Sequence, residues 1–449
     1  MNIDARFGKR TSPAANGEGE ATIESLTQDA RGVARIDGKT TFIEGALPGE
    51  RVRFRYARRR SRYDTGTAIE IVVPSPDRVA APCPHFGTCG GCTLQQLSSD
   101  AQLRSKARVL AESLRRLGRV QPTAWLAPIA GPTTGYRRRA RLGVRLVPKM
   151  GGVLVGFRER RRSFIAPLAD CLTLDPRLAA LLPVLPNLVA GLSRPDRVPQ
   201  IEMSAGDDAA AIVLRHLEPL TANDMARLRD FAAERDIGLY LQPRDSASVR
   251  PLWPEAGVAL TYRLPAFAVT LSFGVTDFVQ VNAAVNRDLV RRAVDLLDVA
   301  ATDRVVDLFC GVGNFSLALA RRAARVAGYE ADTVLARRAR ENAAANGIVN
   351  AEFEIANLYD KSGAAPWVGG GCDKLLLDPP RAGAMAALKA LPPNDLPGRI
   401  VYVSCNPATL ARDSEYLVHR LGYRLEAAGV ADMFPHTSHV ESMVLFVRP

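Results

Sequence analysis

The spacing of apolar positions changes character along this chain. From about Ala21 to Pro74, short runs alternate between β-formers and polar residues: Ala21–Leu26, Thr41–Ile43, Arg51–Tyr56 and Thr67–Val73. Turn pairs at Asp37-Gly38 and Pro48-Gly49 punctuate them, the pattern of a small β unit whose length fits a five-stranded OB-like barrel. Then Leu103, Ala107, Leu110, Leu114 and Leu117 recur at helical spacing, with Ser98 or Ser99 as a cap and Arg104, Lys106, Arg108, Arg115 and Arg116 on the other face. Short strands and helices with many prolines alternate from Ile129 to about Ser272, which reads as a central α/β domain. From Asp303 the rhythm becomes regular. Compact apolar strands are expected at Arg304–Phe309, Arg325–Glu330, Ala351–Ile355, Asp373–Asp378 and Arg399–Ser404, with helices at Phe315–Arg322 and Thr333–Asn346 between them and a closing strand at Glu441–Val447. That alternation predicts a doubly wound parallel sheet. The expected domains are 15–76, 77–275 and 276–449.

Composition narrows the function. No apolar run approaches the roughly 18 residues of a spanning helix, and Met1–Glu20 is polar without an apolar signal core, so a cytoplasmic protein with no membrane partner is expected. A net charge of +12 points to a polyanionic partner. Seven of the 59 basic residues are Lys, an Arg bias that codon usage explains, although it does not explain the excess over acids. Within Arg51-Val-Arg-Phe-Arg-Tyr-Ala-Arg-Arg-Arg, cations interleave with aromatics. Such a run suits stacking plus phosphate contact, or else it is an ordinary solvated strand face. Seven cysteines, an odd number, argue against a disulfide framework.

Val305-Val-Asp-Leu-Phe-Cys-Gly-Val-Gly-Asn-Phe-Ser places a glycine turn between a strand and a helix. Gly311 and Gly313 permit close approach of a ligand to the backbone, and Glu330, at the end of the next strand, can accept both hydroxyls of a ribose. Asn357, after the third strand, could meet an adenine. The third glycine of the dinucleotide fingerprint is absent, which suits S-adenosylmethionine because that molecule has no pyrophosphate. The competing reading is a structural strand–turn–helix without ligand. Leu377-Asp-Pro-Pro-Arg-Ala-Gly and Val403-Ser-Cys-Asn-Pro-Ala-Thr follow the fourth and fifth strands, at the edge where open α/β sheets bind ligands. Cys405 stands at a strand–loop junction, where a thiol can be presented to substrate.

Asp378-Pro-Pro-Arg, Ser404-Cys-Asn-Pro and His439-Val-Glu-Ser-Met resemble the signature segments of the uracil-C5 RNA methyltransferases. With Cys83-x5-Cys89-x2-Cys92 added, the chain is most similar to the family's bacterial 23S ribosomal RNA branch. The likeness spans nearly the whole chain. The N-terminal unit resembles a TRAM domain, and Tyr136-Arg-Arg-Arg-Ala-Arg resembles the family's basic central segment. The resemblance implies a C-terminal Rossmann-like class I methyltransferase domain, an RNA-binding barrel and a monomer acting on 23S ribosomal RNA. It makes Cys405 the nucleophile and Glu441 the general base. Gln280, Phe309, Asn314, Glu330 and Asn357 would contact the cofactor, and Asp378 would sit between cofactor and target uracil. This cast has a chemical reason. Carbon 5 of uracil is too weak a nucleophile to take a methyl group until a thiolate adds at carbon 6 and turns the ring into an enolate.

Cys83, Cys89 and Cys92 are three soft ligands close in sequence, and Cys171 is the candidate fourth. Four thiolates suit zinc as well as iron; the resemblance implies a [4Fe–4S] cluster. Cys310 and Cys372 read as structural, and His436 and His439 as substrate contacts or loop residues. Rival readings are a related enzyme acting on transfer RNA or another ribosomal uracil, an amino-group methyltransferase, which needs no thiol, and an iron–sulfur RNA-binding protein without activity.

Overall fold

The structure is a computed structural model, and it describes residues 17–360, 367 and 371–449. The polar stretch 1–16, and with it the expected domain start at residue 15, lies outside the described residues. Two compact units emerge, one of residues up to Ala81 together with Thr93–Ala101, the other of Pro82–Cys92 with Gln102–Pro449.

The first unit is a single sheet of six strands where the sequence pattern suggested five: β1 (Glu18–Thr22), β2 (Ser25–Leu26), β3 (Gly32–Ile36), β4 (Lys39–Glu44), β5 (Arg51–Arg59) and β6 (Tyr63–Val73). Their order is β1-β5-β6-β4-β3-β2, antiparallel except for β4 on β6. Strict alternation along β5 turns Val52, Phe54 and Tyr56 into the core beside Ile23, Ala34 and Ile43. The aromatics of the Arg51 run are therefore core residues. Arg51, Arg53 and Arg55 pair with Glu20, Glu18 and Glu70 on neighbouring strands. That part of the run is a solvated strand face; Arg59 stacks 4.0 Å from the centre of the Tyr56 ring.

Most of α1 (Ser99–Ser113), from Gln102 on, belongs to the second unit, where it leads to the short strand β7 (Ala124–Trp125). A seven-stranded sheet follows, built from β8 (Arg139–Val147), β9 (Gly152–Arg158), β10 (Ile165–Pro167), β11 (Gln200–Ala205), β12 (Ala210–Arg215), β13 (Gly238–Gln242) and β14 (Arg250–Trp253), in the order β10-β9-β8-β11-β12-β13-β14. Helices α2 (Pro176–Ala179), α3 (Leu185–Ala190) and α4 (Ala222–Glu234) cover it, and Leu142, Ile201, Leu185 and Leu228 share its core. The hairpin β15 (Leu260–Leu264)/β16 (Val269–Phe273) packs instead into the core of the last sheet.

That last sheet holds β17 (Arg304–Leu308), β18 (Arg325–Glu330), β19 (Ala351–Ile355), β20 (Lys374–Leu377), β21 (Arg399–Ser404), β22 (Arg424–Ala431) and β23 (Glu441–Val447). With β7 at its edge the order is β19-β18-β17-β20-β21-β23-β22-β7. The first five are parallel and β23 is antiparallel to both neighbours. Strand order reverses between β17 and β20, a switch point whose carboxyl edge is left open for a ligand. Both faces are buried, which is why β21 reads as an unbroken apolar run. Val401 and Val403 face the layer of α5 (Ala283–Leu297), α6 (Ser316–Ala320) and α7 (Thr333–Ala345), whereas Ile400 and Tyr402 face α1, α8 (Met385–Lys389) and α9 (Pro407–His419).

Two expectations about α1 need correction. Leu117 is 55% exposed, because the helix widens over Leu114–Gly118 and the extra residue in that turn rotates it off the apolar face. Lys106, read as a polar-face residue, is 2% exposed and ion-paired to Asp432 at 2.6 Å.

Candidate active site

Sheet topology assembles the site. Ser404 on β21 pairs with Ser442 on β23. Because those strands are antiparallel, Cys405, one residue beyond Ser404, and Glu441, one residue before Ser442, come to the same sheet edge. Asp378 directly follows β20 beside them, with its amide donating to the Leu308 carbonyl at 3.4 Å. The side chain of Gln280 hydrogen-bonds the Asp378 carboxyl.

The loop carrying Cys405 is fixed by its neighbours. Asn406 caps α9 through its side-chain oxygen, which accepts from the Ala408 amide at 3.1 Å, and its side-chain nitrogen donates to the Arg381 carbonyl at 3.0 Å. Thr409 donates to the same carbonyl at 3.2 Å. Beneath, the buried Asp413 carboxylate accepts from the Tyr402 hydroxyl at 2.8 Å and from the Ala384 amide at 2.7 Å. The Asp-Pro-Pro-Arg and Ser-Cys-Asn-Pro loops are thereby locked to each other.

Burial dominates the electrostatics. It pushes the Cys405 thiol up to about 11; the Glu441 and Asp378 carboxyls push the same way, and the Arg381 guanidinium opposes them. Asp378 is pushed up to about 7 by burial, against the Gln280 hydrogen bond, which favours its charged form. Glu441, 3% exposed, is raised well above the usual carboxylate range by burial and by Asp378. Arg381 also lies 3.4 Å from the His439 ring nitrogen.

The glycine turn forms a second wall. Gly311 and Gly313 take φ of 57° and 93°, and a Cβ at Gly311 would meet nothing within 4 Å, so open space stands over the turn. Phe309 is held at φ 68°, left-handed for a bulky residue, while its amide and that of Cys310 donate to the Tyr329 carbonyl at 2.9 and 3.1 Å. The Glu330 carboxylate spans the turn and the next helix, accepting from the Gly311 amide at 3.0 Å and from the Asp332 amide at 2.9 Å. Asn357 is exposed in a tight turn, where its side-chain oxygen accepts from the Tyr359 amide at 3.1 Å. Asn314 differs from the rest. Its amide makes a reciprocal pair with Asn286, at 2.9 and 3.0 Å, and accepts from the Tyr262 hydroxyl at 3.0 Å, so this side chain fastens the turn to α5 and β15. Two further residues belong to the site without standing out in the sequence: Arg381, the last residue of the Asp-Pro-Pro-Arg segment, and Asp307. Buried at 0% exposure beneath the turn, Asp307 is pushed up to about 7 by burial, against a hydrogen bond from Ser316.

Cys83, Cys89, Cys92 and Cys171 are half-buried, and no disulfide joins them. Burial raises the Cys89 thiol, against a hydrogen bond from the Gly91 amide at 3.4 Å; Cys171 and Cys83 are near enough to raise it further. The Tyr136 hydroxyl, raised by burial, is likewise within electrostatic reach of Cys92 and Cys171. Among the described residues no group of three or more His, Cys, Asp or Glu side chains is arranged to hold a metal ion. Beside this loop a cavity of about 390 Å³ is walled by Gly91, Arg137, Phe157, Arg158, Phe434 and His439, among others. No helix among the described residues is long and apolar enough to cross a membrane.

An open α/β switch point holding a glycine turn, with a carboxylate at the end of the next strand bonded to that turn, is the arrangement of an S-adenosylmethionine-dependent methyltransferase, and the comparisons bear that class out. Residues 268–359 and 370–449 match the family described as tRNA (Uracil-5-)-methyltransferase, and residues 18–61 match the TRAM domain. The chain is 53% identical over 430 residues to the 23S rRNA (uracil(1939)-C(5))-methyltransferase of Azoarcus sp. (strain BH72), covering 96% of this chain and 99% of that one. It is 50% identical over 426 residues to the enzyme of the same description from Thiobacillus denitrificans, covering 95% and 99%. The tRNA (uracil-54, C5)-methyltransferase of Pyrococcus abyssi, solved with S-adenosyl-L-homocysteine, superposes with a TM-score of 0.73 at 26% identity, covering 96% of this chain and 100% of that one. This chain belongs to the uracil-C5 RNA methyltransferase family.

The buried carboxyls carry a testable cost. Asp378 holds its proton more tightly in the folded chain, near 7, than at its ordinary value of 3.8. Its contribution to stability is therefore intact below the ordinary value and is lost as pH rises through about 7. Asp378→Asn removes the cost of ionising it. Thermal melting should show the variant more stable than the unchanged enzyme at pH 8, with a smaller gap at pH 5; an equal gap at both would contradict the burial argument.

Proposed function

We propose that this protein methylates carbon 5 of a uracil in 23S ribosomal RNA through a covalent bond between Cys405 and carbon 6 of the base, as a monomer in the cytoplasm. The observation that carries the reading is the meeting of Cys405, Glu441 and Asp378 at the open edge where the glycine turn and Glu330 end. The ribosomal target rests on near-full-length identity of about half to enzymes described as acting on that RNA. S-adenosylmethionine fits the open space over Gly311, with Glu330 toward its ribose and Phe309, Asn357 and Gln280 around it; when bound, it supplies an electrophilic methyl group.

The chain's own residues do the rest. Cys405, as the thiolate, adds its sulfur to carbon 6, and the electron pair of the carbon 5–carbon 6 bond moves toward the ring carbonyl as an enolate. Negative charge that develops in a water-poor pocket is stabilised by fixed donors and cations, and Arg381 is the cation near the thiol. Carbon 5 then takes the methyl group and carries both methyl and hydrogen. Glu441 removes that hydrogen as a proton, the double bond re-forms, and the Cys405 thiolate leaves. A carboxyl raised by burial is the stronger base once ionised. Asp378, fixed by Gln280, faces the base and orders it. Arg381 supplies the positive charge opposite the thiol. In folded RNA the uracil is stacked and must be turned out to reach these groups, and the basic cavity beside His439 offers room for neighbouring nucleotides.

We also infer that Cys83, Cys89, Cys92 and Cys171 hold a [4Fe–4S] cluster. The four thiols are not arranged as a closed metal site. What supports the reading is that Cys83 and Cys171 lie within electrostatic reach of Cys89, and Cys92 and Cys171 within reach of Tyr136. The Gly91 amide is also directed at the Cys89 sulfur, and backbone donors to the sulfurs are a feature of such sites. No step of the methyl transfer needs the cluster, because no net electrons move.

Each part of this reading has its own test. Cys405→Ala should keep S-adenosylmethionine binding and lose both methyl transfer and any covalent link to RNA. Glu441→Gln should add, methylate and then stall, leaving a denaturation-resistant adduct with methylated RNA. A folded Glu441→Gln enzyme that turns over normally, or is inactive without adduct, removes Glu441 from the mechanism. Anaerobically purified protein should be brown, with broad absorption near about 400 nm; colourless protein with one stoichiometric zinc would replace the cluster with a structural zinc site.

A further inference from the structure

The loop that delivers Glu441 is held from outside the methyltransferase sheet. It leaves β22 at Ala431 and returns at Glu441, which pairs with that same Ala431. Within it His436 takes φ 65°, a left-handed conformation uncommon outside glycine, and its surroundings hold it there. Those surroundings are specific. The Lys106 ammonium, on α1, donates to the Asp432 carboxylate at 2.6 Å and to the Phe434 carbonyl at 2.9 Å. Gln102, one turn earlier on α1, accepts from the His436 amide at 2.8 Å and lies 3.4 Å from its ring nitrogen. The Tyr136 hydroxyl, at the entry to the central sheet, donates to the Pro435 carbonyl at 2.9 Å.

A buried ion pair is a poor device for stability alone, because desolvating both charges offsets most of their attraction. It does fix geometry well. Here the charged group reaches two points of one loop, and two neighbouring side chains take the next two residues. We propose that Lys106, with Gln102 and Tyr136, positions the Asp432–Val440 loop so that Glu441 meets the carbon-5 proton, making Lys106 a positioning residue for proton removal rather than for methyl transfer. Cys405 and the glycine turn are fixed by α9, Asp413 and β18 instead. The loop reaches the thiol's surroundings through His439, 3.4 Å from Arg381, so the earlier steps depend on this clamp far less than proton removal does. The inference rests on Glu441 being the base.

The test uses full-length protein, a 23S ribosomal RNA transcript containing the target uracil, and methyl-labelled S-adenosylmethionine. Methyl appearance in a single turnover and decay of the denaturation-resistant adduct are followed separately. In Lys106→Met, methyl transfer should stay within about twofold of the unchanged enzyme while adduct release slows about tenfold or more, as expected when a reacting group is misplaced by an ångström or less. Tyr136→Phe, which removes one hydrogen bond and leaves the ion pair, should shift release in the same direction by less. It decides the question by the same criteria if Lys106→Met fails to fold. Equal slowing of both steps, or no change in release, overturns the proposal, since a merely structural clamp would not separate them. Glu441→Gln runs alongside. If it traps no adduct, the base assignment itself has failed. If it traps adduct while the clamp variants release normally, only the clamp is wrong.

Discussion

Antiparallel pairing of β23 against β21 is the constraint on which the site depends, since the thiol and the carboxyl proposed as nucleophile and base stand on separate strands. The Ser404–Ser442 register sets them on one edge of the sheet. A slip of one residue would turn Glu441 to the other face of its strand. That register is held by burial on both faces: Tyr402, Val444 and Phe446 in one layer and Val401, Val403, Met443 and Leu445 in the other. The apolar core of the last strand is therefore part of the catalytic geometry.

The electrostatic character of the site follows from the same burial. Two carboxyls and a thiol share one low-dielectric edge, and each is driven toward its neutral form. Burial thus favours the neutral form of all three groups, which suits recognition of an uncharged base. Arg381 is the counterweight, held by its own carbonyl to Asn406 and Thr409 while its guanidinium acts on the thiol. On the cofactor side, strain at Phe309 and the left-handed glycines 311 and 313 accompany the open space above the turn.

Much of this was legible in the sequence, for physical reasons. Strands buried on both faces are continuous apolar runs, so β17, β18, β19, β20, β21 and β23 could be placed within a residue or so. Motifs at the ends of those strands then gave Cys405, Asp378, Glu330 and Glu441. Less regular elements escaped. The Arg424–Ala431 strand is rich in Ala and Gly, which have little β preference, and Ala124–Trp125 is too short to show a period. Alternation along Arg51–Arg59 was visible, but which face was buried was not, so Phe54 and Tyr56 could be mistaken for a stacking surface. Lys106 looked like any other cation on a helix, because its partner Asp432 is distant in sequence and only the tertiary fold joins them. The reciprocal pairing of Asn314 with Asn286 was hidden for the same reason.

The central claim is a covalent bond from Cys405 to the target base that breaks only when carbon 5 loses its hydrogen. Replacing that hydrogen by fluorine, with 5-fluorouridine at the target position of the RNA, tests it in the unaltered enzyme, because a base cannot remove fluorine as a cation. The account predicts a stable enzyme–RNA complex that forms only with S-adenosylmethionine, contains one transferred methyl group, and maps by peptide mass spectrometry to Cys405. Absence of the complex, or a link to any other residue, would contradict it.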